Sequence, residues 1–143
     1  MEYNTGYEGL IELERLVGKW IVSGPDIEGV TEYEWLDGSL FLLQKYSFVQ
    51  YGQNIKGIEI IGYEKPFGVE TPGEHLKSRV YDNMGNTLEY TYEVDVKYLI
   101  IWAGDIGSQA FFKGEWNEDF TINTGAWVYP GGGGYESTMT KIK

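Results

Sequence analysis

Cysteine is absent from this chain, which excludes disulfides and thiolate chemistry. Alanine is nearly absent, with three residues, while glycine reaches twenty. Long helices are usually rich in Ala and Leu, so this balance favours an all-β fold with many tight turns. Basic side chains are scarce: 11 Lys and Arg against 22 Asp and Glu leave a formal net charge of −11. A surface this acidic repels phosphate backbones, so nucleic-acid binding is not expected, and anionic membrane surfaces are disfavoured for the same reason. Long apolar runs are missing too; none approaches the ~18 residues of a membrane span. Met1-Glu2-Tyr3-Asn4 is acidic and polar with no apolar segment behind it, which makes a cytoplasmic location the expectation. No Gly-x-Ser-x-Gly elbow, His-Glu-x-x-His pair or phosphate-binding Walker loop occurs.

Aromatic residues are abundant: five Trp, twelve Tyr and six Phe. They favour strands and supply large contact area with a polar handle. Residues 1–143 suffice for one domain that buries about 70% of its unfolded surface.

Thr5-Gly6-Tyr7-Glu8 fits a capping box, and Leu10, Leu13, Leu16 and Val17 follow at helical spacing. The pattern predicts a helix over 7–16 whose apolar stripe closes one end of the fold. From Lys19 onward the period is two. Strands are predicted at 18–23, 28–36, 39–50, 56–64, 75–82, 87–95, 97–103, 109–116, 120–129 and 135–142. Asp37-Gly38 reads as a two-residue hairpin turn, and Lys65 to Gly73, with Pro66 and Pro72, as a loop. The remaining connections are too short for crossover helices, so neighbouring strands are antiparallel. An open meander leaves two unpaired edges, and closure into an up-and-down barrel of about ten strands removes both. A two-sheet sandwich is the alternative, with only the 65–73 loop long enough to join its sheets.

Alternation assigns faces. Leu88, Tyr90, Tyr92 and Val94 point inward against outward Thr87, Glu89, Thr91 and Glu93, and Tyr33 and Trp35 point inward against Glu32 and Glu34. The runs 40–43 and 58–61 are apolar on both faces and fit either beneath the helix or at a subunit contact. With Trp127, the inward Tyr33, Trp35, Tyr90 and Tyr92 are candidates for the walls of a pocket; the alternative is a completely filled core. Arg79, one of two arginines, is the candidate charged anchor, partnered by Glu59 on the preceding strand if both face inward. Its alternative is an outward rung lying along the sheet. Glu74-His75 reads as an exposed pair, Glu28, Glu32 and Glu34 as a solvated strand face rather than a cation site, and Gly131–Gly134 as a flexible hairpin loop.

A short helix, then Gly18-Lys19-Trp20, then a ten-strand meander resembles the calycin group of lipocalins, fatty-acid-binding proteins and nitrobindin-like proteins. The segments Tyr33-Glu34-Trp35-Leu36-Asp37-Gly38, Gly57-Ile58-Glu59-Ile60-Ile61-Gly62-Tyr63, Tyr81-Asp82-Asn83-Met84-Gly85-Asn86 and Gly133-Gly134-Tyr135-Glu136-Ser137 are similar to a bacterial lipocalin-like family of unknown function. The resemblance spans nearly the whole chain. It implies a closed barrel in which Trp20 packs near the base, with Lys141 or Lys143 lying across its ring. The Arg-x-Tyr carboxylate clamp common in fatty-acid-binding proteins has no counterpart in Thr138–Lys143. Nor does the haem-ligating C-terminal histidine of nitrobindin-like proteins, because the single histidine is His75.

The expected function is therefore the binding of a small apolar or aromatic molecule inside the barrel, with no cofactor and no metal. Two alternatives stand beside it: an enzyme acting on such a ligand, and a filled barrel whose surface serves an interaction, including a homodimer.

Overall fold

The period-two pattern resolves into ten strands in the computed structural model of the chain, which describes residues 6–143. They are β1 (Gly18–Ser23), β2 (Ile27–Trp35), β3 (Phe41–Gln50), β4 (Gln53–Tyr63), β5 (Leu76–Asp82), β6 (Thr87–Val94), β7 (Tyr98–Ala103), β8 (Phe111–Trp116), β9 (Ile122–Val128) and β10 (Tyr135–Lys141). Each pairs antiparallel with its sequence neighbours, and β1 pairs with β10, so the sheet is a closed up-and-down barrel rather than a sandwich. No helix among the described residues is long and apolar enough to cross a membrane.

Two turns differ from the sequence reading. Asp37-Gly38 is not a two-residue hairpin: Ser39 also adopts positive φ (56°), Leu36 N–H donates to the Phe41 carbonyl, and residues 36–40 lie between the strands. The tight hairpin is instead Tyr51-Gly52, with φ of 50° and 78° between the paired Gln50 and Gln53. Positive φ at both central positions gives a turn whose twist matches the strands. It lets β4 begin three residues earlier than the predicted 56.

The helix is shorter than the predicted 7–16. One α-turn, α1 (Leu10–Leu13), runs into a 3₁₀ turn at Glu14–Leu16. Gly9 sits at the N-cap with no side-chain cap, and its N–H is taken by the Tyr63 hydroxyl at 3.2 Å. The Glu8 carboxylate accepts from Gly6 N–H. The capping box anchored on Thr5 lies outside the described residues.

This short segment is a plug. Leu10, Leu13 and Leu16 are completely buried against Leu42, Ile61, Tyr63, Leu76, Leu99 and Trp116. The two runs apolar on both faces are thereby explained in part. Leu42 and Ile61 pair in register and point in beneath the helix, while Phe41 and Ile58 remain exposed outside.

Barrel closure and plug meet at Trp20. Its indole N–H donates to the Leu16 carbonyl at 2.8 Å, its ring packs on Trp116 at 6.0 Å, and Lys141 Nζ lies 5.5 Å from its ring centroid. Lys141, not Lys143, takes the place across the indole. Lys143 contributes its backbone, its carbonyl accepting from Lys19 N–H at 3.0 Å. Gly18 makes that approach feasible: its φ is 130°, and a Cβ there would stand 2.4 Å from the Lys143 oxygen. Trp20→Ala is expected to cost about 3–5 kcal/mol through cavity formation. Lys141→Ala, which removes only a cation–π contact, is expected to cost about 0.5–2 kcal/mol. Urea denaturation midpoints check both, and a Trp20→Ala midpoint equal to wild type overturns the role given to this indole.

Candidate functional site

Because the strands alternate in direction, the turns fall into two sets. The plug and the 64–75 loop close one end; the opposite end carries the turns after β1, β3, β5, β7 and β9. Toward that second end the interior is not filled. A cavity of about 310 Å³ remains, lined by Tyr33, Gln44, Tyr46, Glu59, Tyr90, Tyr92, Phe112, Asn123, Trp127 and Tyr135 among others. Its size lies at the low end of small-molecule sites. Eight strands leave a space that side chains just fill, and ten leave more. In the β8–β9 wall Gly114 and Gly125 pair in register, which leaves the place for the Asn123 side chain. A Cβ on Gly114 would collide with the Asn123 amide at 1.9 Å.

The aromatic wall is continuous. The Trp127 ring packs against Tyr90 and Phe112, each at 5.7 Å, and stacks on Tyr129 at 6.0 Å. Burial pushes the Tyr33, Tyr90 and Tyr92 hydroxyls well above their ordinary range, and Tyr46 up to about 12. These groups are neutral hydrogen-bonding handles at any physiological pH.

Glu59 is the deeply buried ionisable acid in this lining, which also carries the neutral polar side chains of Thr31, Gln44, Gln50, Asn123 and Ser137. It is 4% exposed, on the inner face of β4. Ser78 Oγ donates to its Oε2 at 2.6 Å and the Tyr92 hydroxyl to its Oε1 at 2.8 Å. Burial raises its pKa to about 7, against the opposing pull of those two hydrogen bonds. Gln44, its in-register neighbour on β3, donates to Thr31 Oγ1 at 2.8 Å. Among the described residues two buried donors lack a partner: Asn123 Nδ2 in the cavity wall and Trp116 Nε1 nearer the plug.

Of the residues singled out from sequence, Tyr33, Glu59, Tyr90, Tyr92 and Trp127 converge on this cavity. Two do not. Arg79 lies on the outer face, 57% exposed, bonded to Glu64 at 3.0 Å and 3.6 Å from Glu89. Its register partner on β4 is Ile60; Glu59 pairs with Val80, so Arg79 and Glu59 point to opposite sides of the wall. Trp35 points inward at the plug end, not at the cavity, and its indole N–H donates to Glu14 at 2.5 Å. Thr91 is on the outer face as expected yet fully buried, accepting from Lys77 at 3.0 Å and donating to the Gly104 carbonyl. Tyr46, Gln44, Phe112, Asn123 and Tyr135 were not among the candidates. Tyr46 and Gln44 were readable in principle from the alternation Leu42, Gln44, Tyr46, Phe48, once Leu42 is known to face in.

The remaining motifs lie outside. Glu32 and Glu34 pair with Lys19 at 3.7 Å and Lys45 at 3.5 Å, and His75 sits 3.9 Å from Glu74 on the surface. Among the described residues no group of three His, Cys, Asp or Glu side chains is placed to hold a metal. Compared with known protein families and with curated proteins, the chain matches no family model and no curated protein.

The raised pKa of Glu59 has a definite sign for stability. Below its ordinary value of 4.5 the group is protonated folded and unfolded alike; as pH rises toward about 7 only the unfolded state ionises freely, so the fold loses stability. Removing the ionisation therefore helps at high pH. Glu59→Gln is expected to be nearly neutral at about pH 4.5 and stabilising by about 3 kcal/mol at about pH 8. Urea denaturation at the two pH values checks it, and an equal effect at both contradicts the burial of an ionisable carboxyl.

Proposed function

We propose that this chain is a lipocalin-like container that takes a small, largely apolar or aromatic molecule into its barrel. The observation that carries the reading is the aromatic-walled cavity of about 310 Å³, whose surface is mostly apolar with polar side chains set among the rings. Concave, mostly apolar sites with a small number of placed polar groups are the usual form of a small-molecule pocket. The calycin resemblance of Gly18-Lys19-Trp20 and of the meander supports the same reading. So does the position of Lys141 across Trp20, where such barrels carry a basic side chain. A filled barrel acting through its surface is disfavoured by the unfilled interior.

Fluorescence titration with the neutral dye N-phenyl-1-naphthylamine tests the proposal. Saturable binding with quenching of indole fluorescence is expected, and Trp127→Phe should remove most of that quenching. Tyr90→Ala, which deletes a wall of the cavity, should weaken binding about tenfold, or about 1.4 kcal/mol. Arg79→Ala, on the outside, should leave it unchanged. Non-saturable dye fluorescence with unaltered Trp emission overturns the container reading.

A further inference from the structure

The charges around the cavity are all of one sign. Glu59 and Asp82 are its only charged lining residues, and no Lys, Arg or His reaches it among the described residues. Asp82 sits at the open end, where its carboxylate accepts from the Met84 and Asn86 backbones and from Asn86 Nδ2. Those bonds hold its pKa below the ordinary carboxylate range, so the entrance carries a fixed negative charge. Glu59 lies deeper. Its two oxygens each accept one hydrogen bond, which leaves about half of a carboxylate's acceptor capacity unused. Both its partners are neutral hydroxyls, so no countercharge is supplied by the protein.

We infer that the guest is an organic cation: an amine on an apolar or aromatic body, its ammonium directed at Glu59. This rests on the container reading above and narrows it to a ligand class. A buried carboxylate without a countercharge is costly, and an ammonium group supplies both the charge and the donors. The surrounding rings of Tyr33, Tyr46, Tyr90 and Tyr92 add faces that attract a cation. The net charge of −11 draws cations toward the molecule, and Asp82 meets them at the entrance. A carboxylate guest would meet Glu59 and Asp82 with nothing to neutralise it. On the far wall the unpartnered Asn123 amide offers a donor to a hydroxyl or carbonyl on the body of the guest. It belongs to β9, which stands five places from β4 in either direction around the ring of ten.

Three probes sharing one ring system separate charge from shape: 1-naphthylmethylamine, 1-naphthylmethanol and 1-naphthoate, titrated calorimetrically into the full chain at neutral pH. The amine is expected to bind about tenfold or more tighter than the alcohol, and the naphthoate more weakly than either. In Glu59→Gln the advantage of the amine over the alcohol should shrink to within about twofold. A thermal unfolding trace establishes that the variant is folded, and the comparison of the three probes on the wild-type chain needs no variant. If alcohol and amine bind equally, or the naphthoate binds best, the cation inference is overturned while the container reading stands. An amine preference that survives Glu59→Gln overturns the role of Glu59. Absence of binding by all three overturns both readings.

Discussion

Pairing of β1 with β10 is the constraint on which the rest of the molecule depends. It joins Trp20, Ile21, Val22 and Ser23 to Lys141, Thr140, Met139 and Thr138. Without it the meander keeps two open edges, each a row of unpaired backbone groups, and has no interior at all. The same junction anchors the plug. Trp20 holds the Leu16 carbonyl through its indole N–H and carries Lys141 across its ring, so the helix end and the last strand converge on one side chain. Gly18 lets the C-terminal backbone lie where any other residue would place a Cβ. Closing the sheet and sealing one end are thus a single packing event.

Closure creates an inside, and the order of residues along each strand divides it. On β3, Leu42 meets the plug, and Gln44, Tyr46, Phe48 and Gln50 follow toward the open end. On β4 the direction reverses: Ile55 and Glu59 lie on the cavity, and Ile61 and Tyr63 lie under the plug. Leu10, Leu13, Leu16, Leu42 and Ile61 gather with Trp20 and Trp116 in the filled core at the plug, while aliphatic residues such as Val22 and Ile55 and the Trp127 ring also line the cavity. Tyr, Gln and Glu are placed where the space stays open and a polar handle has something to meet. The division accounts for a barrel that is filled at one end and hollow at the other.

Much of this was legible in the sequence because alternation on a half-buried strand is a strong signal. Leu88, Tyr90, Tyr92 and Val94 are correctly read as inward for that reason. The signal fails where both faces are apolar. In Ile58-Glu59-Ile60-Ile61 hydrophobicity does not choose a face, and the Glu59–Arg79 pair, conditional on both facing inward, is one residue out of register. A shift of one residue exchanges the two faces, and of the two placements the sequence leaves open for Arg79 the structure takes the outward rung, where it bridges Glu64 and Glu89. Tight-turn chemistry was equally deceptive. Asp37-Gly38 has the residues of a two-residue turn, but the turn is made by Tyr51-Gly52. A Tyr tolerates its positive φ there because register on both sides is fixed by the long β3–β4 ladder. Trp35 faces inward as read, yet depth along the barrel is not encoded in alternation, and its depth places it at the plug.

Burial of Glu59 runs against the rest of this economy of packing. An apolar residue at its position would remove a desolvated carboxyl, and nothing in the closure or the plug requires an acid there. Ser78 and Tyr92 do not cancel the cost, since their hydrogen bonds leave the pKa raised to about 7. The outward Glu32 and Glu34 show the contrast: each has a lysine within 4 Å and water on its other side. A carboxyl kept inside without such a partner, on a cavity rather than against packed atoms, costs the fold stability. It is a cost of the fold that packing alone does not recover. The plug end can carry that cost because its aliphatic and indole packing is complete without the cavity.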